Sequence, residues 1–123
     1  DGILIADDDP DFRDAIKEIL EHHGYVVMVA SNGQEAIAHI EQDDIDVLIL
    51  DLRMPIMTGL GVYQTLKQKG LSIPTILVTA YAREERETLD VMKKWSITGI
   101  LTKPFDPGDL ISIIDNVRGR QKT

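Results

Sequence analysis

The chain of 123 residues contains no cysteine, which removes disulfides, thiolate zinc centres and cysteine nucleophiles at once. That absence fits a reducing compartment, and a cytoplasmic location is expected. Long apolar runs are missing too. The longest, such as Val47 to Leu50, fall far short of the roughly 20 residues a membrane-crossing helix needs. No basic segment followed by an apolar stretch opens the sequence, so neither a signal peptide nor a membrane partner is expected. Positive charge is scarce: 13 basic residues against 21 acidic ones leave a net charge of −8. Such a surface repels phosphate backbones, so no nucleic-acid binding is expected of this segment, and a divalent cation is the more natural partner. What remains is ordinary globular composition, with 43% hydrophobic and 28% charged residues, in a chain long enough to bury a core without staples. A single domain over residues 1–123 is expected. Because the chain opens at Asp1 without a methionine and enters a strand-like run by Ile3, a mature or excised fragment is expected.

Strand-length apolar runs alternate with helix-length amphipathic stretches five times. The runs are Ile3–Ala6, Val26–Ala30, Val47–Asp51, Thr75–Thr79 and Gly99–Thr102. Between them, helical spacing puts Phe12, Ala15, Ile16, Ile19 and Leu20 on one face, then Ala36, Ile37 and Ile40, then Val62, Tyr63 and Leu66. A charged fourth stretch carries Leu89, Met92 and Trp95, and a fifth carries Leu110, Ile113, Ile114 and Val117. Asp9-Pro10 supplies a helix start and Gly24 a stop. The runs are nearly continuous and rich in β-branched residues, the signature of a parallel sheet buried on both faces. The expected fold is α/β, a doubly wound, flavodoxin-like (βα)5 with five parallel strands in the order 2-1-3-4-5.

In such a sheet, ligands bind beyond the carboxyl ends of the strands, where the strand order reverses. Asp7, Asp8 and Asp9 follow the first strand, Asp51 ends the third, Thr79 ends the fourth and Lys103 follows the fifth. Each residue alone has an ordinary explanation: Asp9 as an N-cap, Thr79 as a good β residue, Lys103 as a solvated tip. Their convergence on one edge is what points to a site. Crowded carboxylates repel unless they share protons or a cation. With no cysteine and no nearby histidine the ligands are all oxygens, which implies Mg2+, with Mn2+ or Ca2+ as chemical substitutes. A Mg2+ site of carboxylates suits phosphoryl chemistry, in which an aspartate can itself be the nucleophile.

Ala6-Asp7-Asp8-Asp9-Pro10, Leu50-Asp51-Leu52-Arg53-Met54-Pro55, Val78-Thr79-Ala80 and Thr102-Lys103-Pro104-Phe105 together resemble the motifs of the response-regulator receiver domain of two-component signal transduction. They stand in the right order and spacing over essentially the whole chain. The resemblance implies a phosphorylation-activated switch rather than an enzyme, assisting its own phosphorylation and dephosphorylation. Asp51 would be the phosphoacceptor, taking a phosphoryl group from a histidine of a kinase or phosphotransfer protein. Asp8 would bind Mg2+ directly and Asp7 would help through water, with Asp51 and the backbone carbonyl of Arg53 completing the protein ligands. Lys103 would pair with Asp51 and then with the phosphoryl oxygens, and the Thr79 hydroxyl would bond the phosphoryl group and move toward it. The surface of the fourth helix, fifth strand and fifth helix would then shift, serving partner docking or homodimer formation.

The chain departs from that pattern at Ile100, where an aromatic is usual. A buried aliphatic is the plain reading, with Tyr81 as the alternative switch residue. Thr58-Gly59 replaces a common Asp-Gly turn. Arg53 and Tyr81 flank the expected entry of hydrolytic water, which would let their bulk and charge tune phosphoryl lifetime. His22 and His23 suit the end of the first helix better than a metal site. Three other readings compete. An aspartate-nucleophile phosphatase of the haloacid dehalogenase type needs a second acid where Arg53 stands. A flavodoxin-like cofactor binder needs Ser, Thr and Gly where the Asp7–Asp9 triplet stands. A phosphorylation-independent binding module would not need the full set of site residues.

Overall fold

A computed structural model describes residues 2–51, 59–79, 97–103 and 105–121. Five parallel strands, β1 (Gly2–Ala6), β2 (Val26–Ala30), β3 (Ile45–Asp51), β4 (Thr75–Thr79) and β5 (Gly99–Thr102), form one sheet in the order β2-β1-β3-β4-β5. The described helices are α1 (Pro10–His22), α2 (Gly33–Gln42), α3 (Gly59–Gln68) and α4 (Pro107–Gln121), so the fifth helix of the sequence pattern is α4 here. The expected charged helix with Leu89, Met92 and Trp95 lies outside the described residues. No described helix is long and apolar enough to cross a membrane.

The core divides by strand parity, because successive side chains leave opposite faces of a strand. Leu4, Ala6, Leu48, Leu50 and Leu77 face α2 and α3, whose Ala36, Ile37, Ile40, Val62, Tyr63 and Leu66 are buried against them. Ile3, Ile5, Val47, Ile49, Ile76 and Val78 face α1 and α4, represented by Ile16, Leu20, Leu110, Ile114 and Val117. Burial on both faces is complete in β1, where strands flank either side. It fails at the edges: Val26 of β2 is 60% exposed, and β5 is only half-buried, with Thr102 exposed. Edge strands have a neighbour on one side only, so continuous apolarity overstates their burial. Ala15 is likewise exposed, although helical spacing places it inward. The buried line of α1 runs through Ile16 and Leu20, with Phe12 and Ile19 at its half-buried margins.

Local signals fix where the helices begin and end. The Asp9 carboxylate accepts from the N–H groups of Asp11 and Phe12 and caps α1, with Pro10 at the first helical position. Gly24, at φ +88°, ends the same helix: its N–H reaches the Glu21 carbonyl and that of Tyr25 reaches Leu20, a Schellman closure that needs the left-handed conformation glycine adopts freely. The His23 Nδ1 donates to the Ile19 carbonyl at 3.1 Å, so this histidine completes a helix end. At α2, the N-cap Asn32 accepts from Glu35 N–H while the Glu35 carboxylate accepts from the Ser31 N–H and hydroxyl, at 2.7 and 2.8 Å.

Those Ser31 hydrogen bonds hold the Glu35 carboxyl below its ordinary value of 4.5. A folded pKa below the unfolded one contributes stability that is full above the unfolded value and fades as the pH falls through the folded value. Urea titrations of the wild type and Glu35→Ala are expected to show the largest difference at neutral pH and a shrinking one below about pH 4.5. In the centre of the sheet, Leu48→Ala is expected to lower unfolding free energy by about 2–5 kcal/mol, since a fully buried leucine leaves a cavity the parallel strands cannot close.

Candidate functional site

The β1–β3 pairing brings two strand ends side by side, with Ala6 opposite Leu50 in register. Asp7 leaves β1 at that point, its N–H still bonded to the Ala30 carbonyl of β2 at 3.0 Å. Asp51 is the last residue of β3, opposite Val78 of β4. Both acids are buried, Asp7 at 1% and Asp51 at 7% exposure, whereas Asp8 is exposed. One carboxylate oxygen from each of Asp7, Asp8 and Asp51 lies within 4.8 Å of the others.

Two carboxylates about 5 Å apart repel by about 3 kcal/mol at an effective dielectric of about 20. The Lys103 ammonium offsets this. Its Nζ lies 2.8 Å from Asp7 Oδ2 and 3.8 Å from Asp51 Oδ2, so attraction over shorter distances exceeds the repulsion. The resemblance implied a partnership with Asp51; the shorter contact is with Asp7. The other Asp7 oxygen accepts from the Asp9 N–H at 2.9 Å, which fixes the carboxylate from the side of the α1 cap. Arg13 Nη1 donates to the Asp7 carbonyl at 3.2 Å and holds the same turn from the helix.

Thr79 ends β4 with its backbone paired to Thr102 of β5, directly before Lys103. Ile100 pairs with Leu77 and is half-buried against the core on the α2–α3 side. Arg53, Thr58, Tyr81 and Pro104, also singled out by the sequence, lie outside the described residues. The structure thus brings Asp7, Asp8, Asp51 and Lys103 together and sets the Thr79 backbone beside them. A cavity of about 380 Å3 lined by Tyr63, Lys67, Pro74 and Thr98 among others opens at the opposite end of the sheet, before β4 and β5, away from the carboxylates.

Sequence reasoning missed two side chains here. Phe12 and Arg13 stand on the first turn of α1, and Phe12 was legible only as part of a helix's apolar face. Yet the Lys103 ammonium lies over the Phe12 ring, 4.1 Å from its centroid. Helical side chains tilt toward the helix N-terminus, and this N-terminus rises from the acid triplet. That geometry was the available signal.

The donor set fits a hard divalent cation. Three carboxylates offer oxygen ligands only, two of them buried, with the exposed Asp8 leaving the solvent side open for the waters Mg2+ retains. Without a metal, the site depends on its lysine. Lys103→Met leaves buried Asp7 without its counter-charge and is expected to cost about 1–3 kcal/mol in urea unfolding. Adding Asp7→Asn to that variant is expected to restore part of the loss, a coupling that a double-mutant cycle reads directly.

Comparisons with known proteins bear on the family and the fold. The family model for the response regulator receiver domain matches residues 3–115. An uncharacterized 14.6 kDa protein of Leptolyngbya boryana is 39% identical over 114 residues, covering 91% of this chain and 86% of that protein. The response regulator SaeR of Staphylococcus aureus is 33% identical over 120 residues, 98% of this chain and 51% of SaeR, so the chain spans about half the length of that relative. Among solved structures, the response regulator TrrA of Thermotoga maritima, in complex with Mg2+ and BeF, superposes with a TM-score of 0.80 at 32% identity, covering 94% of this chain and 96% of TrrA. With a family match over most of its length and the family's acid cluster at the expected strand ends, the chain belongs to the response regulator receiver family.

Proposed function

We propose that this chain acts as a single receiver domain in which Asp51 accepts a phosphoryl group from a phosphohistidine of a sensor kinase or phosphotransfer protein. Membership of the family implies phosphorylation-dependent signalling by a regulatory phosphoacceptor domain. The observation that carries the finer reading is the convergence of Asp7, Asp8, Asp51 and Lys103 at one sheet end. In the transfer, an Asp51 carboxylate oxygen attacks phosphorus, the phosphorus–nitrogen bond breaks, and the imidazole leaves with the electron pair. Burial of Asp51 helps keep water from competing for phosphorus.

Receiver domains bind Mg2+ at an acidic pocket, and here Asp7, Asp8, Asp51 and the Arg53 backbone carbonyl would hold it. When bound, Mg2+ supplies electrostatic stabilisation of the negative charge on the transferring group. Lys103 stabilises the same charge from the β5 side, turning from Asp7 toward the phosphoryl oxygens. The Thr79 hydroxyl reads the arrival of the group. Its strand is paired to β5, so a displacement at Thr79 is passed to the surface built on the fourth helix of the sequence pattern, β5 and α4. Ile100, aliphatic and half-buried on β5, moves in that transition without the swing of an aromatic ring, and Tyr81, two positions after Thr79 in the sequence, contributes instead. The shifted surface is the one offered to a downstream partner or a second copy of the chain.

Intact mass after incubation with acetyl phosphate and Mg2+ tests this reading. A single phosphoryl adduct is expected, absent with EDTA and absent in Asp51→Asn. An adduct that persists in Asp51→Asn would overturn the assignment of the acceptor. Failure to bind Mg2+ with beryllofluoride, a phosphoryl mimic, would favour the phosphorylation-independent module instead.

A further inference from the structure

The chain contains only two phenylalanines, and both stand beside Lys103. Both pack, partly buried, against the core on the α1–α4 side, which accounts for their being apolar but not for a ring face turned to the ammonium. The Phe12 ring presents its face to the Lys103 ammonium, 4.1 Å from centroid to Nζ. Phe105, two residues beyond the lysine, meets Phe12 edge to face, with centroids 5.8 Å apart and planes at 76°. The ammonium therefore has Asp7 Oδ2 at 2.8 Å, Asp51 Oδ2 at 3.8 Å and a negative ring face as surroundings. An ammonium on a four-carbon stem is otherwise free to swing between the two acids.

We propose that Phe12 is a positioning residue: its ring holds the Lys103 ammonium on Asp7 and thereby sets how readily the three carboxylates accept a divalent cation. The inference rests on the reading of Asp7, Asp8 and Asp51 as the cation site. A cation arriving at Asp7 competes with the ammonium for Oδ2, and an ammonium that moves toward Asp51 leaves the ring face. The ring contact thus favours the metal-free arrangement and opposes cation entry. Removing the π-face while keeping the bulk weakens that opposition, whereas a residue that serves packing alone would leave cation affinity unchanged.

The test uses Phe12→Leu and Phe12→Met, which keep an apolar side chain without a ring, and Phe12→Tyr, which keeps the ring. In 13C-lysine-labelled, metal-free protein, the ring current is expected to shift the Lys103 ε-methylene resonance upfield in the wild type and Phe12→Tyr. The shift is expected to vanish in the leucine and methionine variants. Amide spectra verify that each variant is folded, and two ringless variants guard against one failing to fold. Titration with MgCl2 alone is expected to show about three- to tenfold tighter binding in the ringless variants, and Phe12→Tyr within about twofold of wild type. Equal Mg2+ affinity in the wild type and the ringless variants overturns the proposal while leaving the cation site intact. An unshifted Lys103 resonance in the wild type overturns it independently of any metal. If none of the four proteins binds Mg2+, the cation site fails and the proposal fails with it.

Discussion

Two carboxylates buried at neighbouring strand ends, sharing one ammonium, impose the constraint around which this site is organised. Asp7 and Asp51 are placed by the β1–β3 register, and nothing in the sheet lets them separate. Burial that would suit an apolar pair leaves two like charges in each other's field. Lys103 relieves that repulsion from β5, two strands away from β3 across β4. The positive charge is thus delivered by a different strand from those that carry the acids, the edge strand of the sheet.

The parts of the site differ in how firmly they are held. Asp7 is fixed through its side chain by the Asp9 N–H and through its carbonyl by Arg13, and Asp9 in turn caps α1. Lys103 is held by ion pairs to Asp7 and Asp51 and by the Phe12 ring face, at the end of a flexible four-carbon stem. A rigid acid framework with a relocatable ammonium suits a site that must stay intact whether or not it carries an added phosphoryl group. Lys103 directly follows β5, one of the described parts of the proposed output surface.

Four of the strands were legible nearly to the residue because a central parallel strand must be apolar on both faces, and the order followed from five βα units wound as one doubly wound sheet. The β3 run begins earlier than apolarity alone indicates, at Ile45, because Ile45 still pairs with Gly2 across an irregularity at Asp46 that breaks both the apolar pattern and the register. Exposure of Val26 and of Ala15 was not legible, since periodicity does not say which strand lies at an edge or how wide a helix's contact stripe is. At the site, the strand-end rule located Asp7, Asp51, Thr79 and Lys103. The preference of Lys103 for Asp7 was beyond reach. It depends on differences of about an ångström in side-chain placement, and on a ring whose helical position reads as core.

The most direct measurement of the account is the position of the Lys103 ammonium before and after the phosphoryl mimic beryllofluoride is added with Mg2+, followed by NMR of its side chain. Lys103 is expected to leave Asp7 and the Phe12 ring when the mimic binds, and nothing is expected to move in Asp51→Asn. A mimic that binds the wild type while the Lys103 signals stay unchanged would contradict it.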